Sequence, residues 1–295
     1  GAPGNITVTA PSTDFQVSND DASWGSSTTI AYTTGTLAAT PVYVRFTPQT
    51  GGPKGGSITF SGGGVAIPPT VALTGTGTKT YYSKATGTLT DVANWGDAAN
   101  GSGTSPANFT DDGQLFIIAN RASETLDANW TVSGGASKVV VGNGASATEL
   151  IIPATFALTG TADVANLGVL TLLNATTPTL GTRASGSTVS FAQTGTVVVP
   201  SGTYYNLTIK DGNKTLASGT TIVGGNLILD NAADFNGAGT PFSTINLAGN
   251  FTMQNGATIE PLGAGDPNRF TLILSGSGTQ TLSGGDFYLF RLQTP

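Results

Sequence analysis

The stretch Thr188–Ile209, TVSFAQTGTVVVPSGTYYNLTI, returns without a gap as Thr271–Leu292, TLILSGSGTQTLSGGDFYLFRL, at an offset of 83 residues. Its anchors are Thr188/Thr271, Gly195/Gly278, Thr196/Thr279, Gly202/Gly285 and Tyr205/Tyr288, with apolar residues recurring between them. Inside that interval GGNLILDN, from Gly224, is echoed by AGNFTMQN, from Ala248, at an offset of 24. Spacings of this size predict strands that stack on one another as an array, because a single repeat cannot bury its apolar face alone.

Composition points the same way. Charged residues are 9% of the 295-residue chain, against about 25% in an average soluble protein, and glycine alone supplies 42 residues. The polar surface must therefore come from Thr, Ser, Asn and Gly. Thr is β-branched and suits strands, whereas Asn and Gly suit tight turns. Regular Val/Ile/Leu/Phe strands argue against disorder, so the fold class is all-β.

The formal charge is −6, from 11 basic and 17 acidic residues. All of it lies beyond residue 79, since the first 79 residues balance Arg45, Lys54 and Lys79 against Asp14, Asp20 and Asp21. Without a basic stripe, nucleic acid is not an expected partner. Cysteine is absent, which removes disulfides and thiolate metal sites. No apolar run reaches transmembrane length, so membrane insertion is not expected. The chain opens Gly1-Ala2-Pro3 without Met, so it reads as one from which a leader or upstream segment has been removed.

Along the chain, residues 1–75 read as a small β-sandwich with strands at Asn5–Ala10, Phe15–Ser18, Thr28–Tyr32, Val42–Phe46, Ser57–Phe60 and Thr70–Thr74. Alternation places Val42, Val44 and Phe46 on one face. Asn19-Asp20-Asp21, Gly51-Gly52-Pro53 and Gly62-Gly63-Gly64 read as turns, and residues 76–80 as a linker. From 81 to 295 a ladder of short strands follows, among them Gln114–Ile118, Lys138–Val141, Val169–Leu173, Thr188–Phe191, Asn206–Ile209, Asn226–Leu229, Phe251–Met253 and Thr271–Leu274. The 24-residue offset fits one coil of a parallel β-helix with about three strands per coil. Because 83 is not a multiple of 24, coils of unequal length are expected, with insertions at Asp230–Phe242 and Gly263–Arg269. Nothing caplike follows Arg291, so both ends read as cut or partner-completed.

The run GNITVTAPSTDFQVSNDDASWGSSTTI, continued by TPVYVRFTP, GGSITFSGGG and VALTGTGT, resembles an immunoglobulin-like module of large secreted Bacteroidota proteins and covers almost all of residues 4–78. That family normally has a strand before the equivalent of Asn5-Ile6-Thr7-Val8. The resemblance therefore implies a sandwich lacking its first strand, supplied by more chain or by a neighbour. TYYSKATGTLTDVANWGDAANG, Thr80–Gly101, resembles the opening of β-helical modules in the same class of proteins; Trp95 matches the second Trp of their pattern, and Leu89 stands where the first is usual.

Candidate chemistry is sparse. Without histidine, Ser–His and Cys–His nucleophiles and His-ligated zinc are excluded. Two carboxylates suffice for a glycosidase, and a lyase would want a base beside an acid, as in Lys210 with Asp211 or Arg269 with Asp266. Both pairs lie in turn-like sequence, where acids serve the turn. Asp111-Asp112 and Asn19-Asp20-Asp21 offer oxygens but lack calcium-loop spacing, so no metal is expected. Tyr81-Tyr82, Tyr204-Tyr205 and Phe287-Tyr288 suggest stacking that keeps rungs in register rather than sugar platforms. Trp24, Trp95 and Trp130 read as core or junction anchors, and the seven Asn-x-Thr sequons as compositional.

The reading is an immunoglobulin-like sandwich followed by a parallel β-helix, with no catalytic, cofactor or metal residues. Its expected role is a stiff, non-catalytic spacer in an adhesin-like protein, secreted or at the bacterial surface. By resemblance, export would be by type IX secretion. Partners would be other segments of a larger protein or neighbouring subunits, the secretion machinery and extracellular polysaccharide. The alternatives are a filament subunit completed by strand addition and a polysaccharide-binding or polysaccharide-degrading module.

Overall fold

The structure is a computed structural model that describes residues 4–33, 37–64, 68–231, 234–237, 243–259, 270–285 and 291–294. Among the described residues it is all-β apart from one short 3₁₀ turn, Val92–Asn94. The chain divides into two compact units. One comprises residues 1–80 with 111–115 and 134–137, and the other holds the remainder to the C-terminus.

The N-terminal unit contains β1 (Ile6–Thr9), β2 (Phe15–Ser18), β3 (Ser27–Ile30), β4 (Tyr43–Phe46), β5 (Gly52–Gly62) and β6 (Thr70–Gly77). Four of these form an antiparallel sheet in the order β3-β1-β5-β6, while β2 and β4 pair as a separate two-stranded ribbon. Val17 of the ribbon is buried with Val8, Ile30 and Ile58 of the sheet, so one small apolar core holds the two together. Two expectations change here. Gly51-Gly52-Pro53 is not simply a turn: β5 begins at Gly52, and its Gly52, Pro53 and Lys54 pair with Gly77, Thr76 and Gly75 of β6. Of residues 76–80, read as a linker, Thr76 and Gly77 are paired strand, and Lys79 and Thr80 open the strand Lys79–Ser83. The expected common face of Val44 and Phe46 is present, since they sit opposite Val17 and Phe15, yet Val44 remains 40% exposed.

The C-terminal unit is a parallel β-solenoid. Its longest sheet stacks eight strands in chain order, Ser123–Thr125, Thr148–Ile152, Gly168–Leu172, Thr188–Phe191, Asn206–Lys210, Leu227–Asp230, Phe251–Met253 and Leu282–Ser283. Eight rungs make seven steps. At about 4.8 Å per step they rise roughly 34 Å. Register is strict at every second residue. Leu150, Leu170, Val189, Leu207, Leu227 and Phe251 form one inward column, and Ile152, Leu172, Phe191, Ile209, Leu229 and Met253 the next. All twelve are buried. Strands Val197–Val199, Asn213–Leu216 and Asp234–Gly237 form a second face, and a five-stranded sheet from Thr203–Tyr204 to Arg291–Gln293 forms the third.

The register measures the coils. Leu227 pairs with Phe251, so the 24-residue echo is one coil. The coils vary in length: Ser123 to Glu149 takes 26 residues, Thr188 to Asn206 takes 18, Leu207 to Leu227 takes 20 and Phe251 to Leu282 takes 31. The 83-residue echo is different. Thr188–Phe191 lies in the eight-stranded sheet, but its counterpart Thr271–Leu274 lies in the five-stranded one. The echo relates different faces of the solenoid, because every face obeys the same inward alternation and Gly/Thr turn chemistry. Of the expected insertions, part of 230–242 supplies the strand Asp234–Gly237, and 263–269 lies outside the described residues.

The first coil is closed by aromatic packing. A strand Lys79–Ser83 is flanked by an antiparallel partner, Trp95–Gly96, which interrupts the parallel stacking. Trp95 and Trp130 are buried, with ring centroids 5.6 Å apart, and both pack on Phe109 and Phe116. Leu89, where the resemblance expected tryptophan, is buried too, and its carbonyl accepts the Trp95 indole N–H at 2.9 Å. Trp95 and Trp130 are therefore core residues. Trp24 lies in the N-terminal unit, half-buried beneath the Arg45 guanidinium at 4.8 Å.

Candidate functional site

The turns that join one face of the solenoid to the next carry most of its polar chemistry. Just before the strands of the eight-stranded sheet, asparagines stack. The Asn206 side-chain oxygen accepts from the Asn226 backbone N–H at 2.9 Å, Asn226 from Asn250 at 2.9 Å, and Asn250 from Thr281 at 2.8 Å. Each side chain caps a backbone donor of the next coil, so the ladder satisfies groups that the sheet does not reach. Asn206 and Asn250, two of the sequon residues, are thus structural members of a turn.

Just after the same strands runs a second polar column. The Gln193 amide donates to the Asn174 carbonyl at 3.0 Å, Asn231 donates to the Asp211 carboxylate, and Asn255 donates to the Asp230 carboxylate at 2.6 Å. Asp211, Asn231 and Asn255 all have φ near +55°, the left-handed region that Asx residues tolerate. At Gly212, also left-handed, a Cβ would stand 2.2 Å from the Thr194 carbonyl oxygen, so only glycine fits the turn.

This geometry separates the first proposed acid–base pair. Lys210 reaches across to Asp230 of the next coil, Nζ to Oδ2 at 3.4 Å, while Asp211 holds Asn231. Burial pushes the Asp230 carboxyl up, but hydrogen bonds from Asn255 and Gln254 and the charge of Lys210 outweigh it and leave the pKa lowered. Arg269 and Asp266 lie outside the described residues. In the N-terminal unit, Asp20 accepts from the Ser23 and Ala22 N–H groups and from the Ser18 and Ser23 hydroxyls. The two backbone bonds, with the hydroxyls after them, hold its pKa far below the usual carboxylate range. Asp112 accepts from the Gly135 N–H at 2.5 Å. These acids serve turns, and among the described residues no three His, Cys, Asp or Glu side chains cluster as a metal site.

The tyrosine pairs divide in the same way. Tyr81 is in the core, stacked on Phe116 at 5.7 Å. Tyr204 is buried, its hydroxyl donating to the Pro200 carbonyl at 2.7 Å, with Arg183 over its ring at 4.4 Å. Burial pushes its pKa up to about 12 against the pull of Arg183. Its neighbour along the column is Val223, followed by Leu247 and Leu274, so an aliphatic column continues from Tyr204 where an aromatic ladder was expected. Phe287 and Tyr288 lie outside the described residues.

Two charged residues escaped sequence reasoning. Arg121, whose guanidinium pairs with Glu124, gave no local signal. Lys214 did, because it shares strand parity with buried Leu216 and is itself fully buried. Its ammonium donates to the Gln193 and Asp211 carbonyls, both at 2.5 Å, which knits successive turns together. Burial lowers its pKa from 10.5 to about 8, with Asp211 pulling the other way. A lowered lysine pKa means the folded state carries the cost of the buried charge below pH 8. Stability from this group therefore rises as pH climbs from about 8 toward 10.5. Urea midpoints at pH 7.5 and pH 10, compared between wild type and Lys214→Met, should show this alkaline gain in the wild type only. An equal pH response in both would refute the assignment.

No family model, curated protein or solved structure matches this chain.

Proposed function

We propose that this chain is a non-catalytic structural segment of a large secreted or cell-surface protein of the adhesin type, in which the solenoid acts as a stiff spacer. The observation that carries the reading is the unbroken register of eight parallel strands over two buried apolar columns. Backbone hydrogen bonds across every step, with the asparagine turns beside them, resist bending and extension along the stack. Asp211, weighed for catalysis, holds Asn231 of the next coil, and Asp112, weighed for calcium, accepts from a backbone N–H, which fits a mechanical role. Pulling the full chain from its two termini by atomic-force spectroscopy should give discrete, high-force rupture events for the solenoid. Smooth extension at low force would remove the spacer reading.

A second reading, a filament subunit completed by strand addition, draws on the N-terminal unit. There β4 is the outer strand of a two-stranded ribbon, Val44 is 40% exposed on its core-facing side, and an apolar groove of about 400 Å³ lies among Ile6, Ile30, Leu37, Val42, Phe60 and Pro69. An added strand would cover such a surface. Electron micrographs of concentrated protein distinguish the two readings, since ordered polymers arise only under the second.

A further inference from the structure

The N-terminal unit holds a second cleft of about 380 Å³, lined by Thr13, Phe15, Gln16, Ser26 and Gln49. Its size falls within the range of small-molecule sites. The lining contains two primary amides, two hydroxyl side chains and one buried aromatic ring, and none of these residues is charged. Amides and hydroxyls both donate and accept hydrogen bonds, as the hydroxyls of a ligand do. An uncharged lining selects against phosphate, carboxylate or ammonium groups, whose desolvation would go uncompensated.

The two amides are already oriented, in opposite senses. Gln16 Oε1 accepts from Arg45 Nε at 2.6 Å, and the Arg45 guanidinium is held in turn over Trp24. Gln49 Nε2 donates to the Thr47 carbonyl at 2.8 Å, while the Gln49 backbone N–H donates to Asp14 Oδ1 at 2.8 Å. Among the described residues neither Gln16 Nε2 nor Gln49 Oε1 has a protein partner. Lining the cleft are thus one amide with its donor unpaired and one with its acceptor unpaired, each held at its other end.

We propose that this cleft binds a neutral saccharide, with Gln16 Nε2 donating to one ring hydroxyl and Gln49 Oε1 accepting from a neighbouring one. A saccharide is favoured over an extended peptide because four of the five lining side chains are amides or hydroxyls. The site stands apart from the spacer reading and survives its failure.

The test is saturation-transfer NMR on the full chain with glucose, galactose, mannose, xylose and N-acetylglucosamine and their short oligomers, beside an uncharged Ser/Thr peptide. At least one neutral sugar should bind with a Kd of the order of 1 mM. Gln16→Leu and Gln49→Leu should each weaken it about tenfold, as loss of a single hydrogen bond predicts. Gln49 is exposed and Gln16 half-buried, so both variants should keep the wild-type backbone spectrum. Three outcomes overturn the proposal: no saccharide binding at about 10 mM, binding untouched in both folded variants, or a response to the peptide alone.

Discussion

Replacing Arg121 by methionine is expected to destabilise the solenoid by about 3–5 kcal/mol, the usual cost of removing one member of a buried ion pair. The Arg121 side chain is 4% exposed and its Nη1 lies 2.6 Å from Glu124 Oε2. The same guanidinium donates to the carbonyls of Lys84, Thr86 and Gly87, with Nε to Lys84 at 2.9 Å and Nη1 to Gly87 at 2.9 Å. Glu124 occupies the first rung of the eight-stranded sheet, at the position paired with inward-facing Leu150. Where the aliphatic column ends, an ion pair and a tied-down loop replace it. Losing the arginine leaves Glu124 partly buried and unpaired, together with a set of loop carbonyls. Urea unfolding followed by far-UV circular dichroism measures the loss. Arg121→Lys should recover only part of it, because a single ammonium cannot fork to three carbonyls and a carboxylate. A methionine variant within 1 kcal/mol of wild type would contradict this account of the cap.

Much of the solenoid was legible because its rule is local. A strand that buries every second residue shows that alternation in its own sequence, and Thr188–Phe191, Asn206–Lys210 and Phe251–Met253 were all readable from it. The coil length was legible where two neighbouring turns carried the same residues, as in GGNLILDN and AGNFTMQN. The same local rule misled at longer range. Thr188 and Thr271 resemble each other because strand, turn and strand look alike on every face, and only the pairing register reveals that they lie on different sheets. The turn ladders were hidden for another reason. Asn206, Asn226 and Asn250 are joined across 20 and 24 residues, so no window of sequence contains the hydrogen bonds that give them their role. The cleft of the N-terminal unit is less legible still. Gln16 on β2 and Gln49 in the bend after β4 come together because β2 pairs with β4, and a lone glutamine at either place carries no signal.

Phe191→Ala should cost about 3–5 kcal/mol, the range for truncating a large buried aromatic residue. Phe191 is fully buried in the inward column between Leu172 and Ile209, and its ring meets Tyr204 edge-on at 6.4 Å. Tyr204 is held by its own hydroxyl and by Arg183 above it, so it cannot simply collapse into the space left behind. The cavity would persist, and with it the lost dispersion contacts. Because each coil touches mainly its neighbours, the damage should also be local. Hydrogen exchange should accelerate most in the strands Gly168–Leu172, Thr188–Phe191 and Asn206–Lys210, and less toward Thr148–Ile152 and Phe251–Met253. Thr208→Ala supplies the contrast. It changes an outward residue one rung away, half-buried with Ser190 and Ile228 as its partners on the flanking strands, and should stay within about 0.5 kcal/mol of wild type. If Phe191→Ala instead raised exchange evenly across all eight rungs, the solenoid would be one cooperative unit, and stiffness would belong to the stack as a whole instead of to each step.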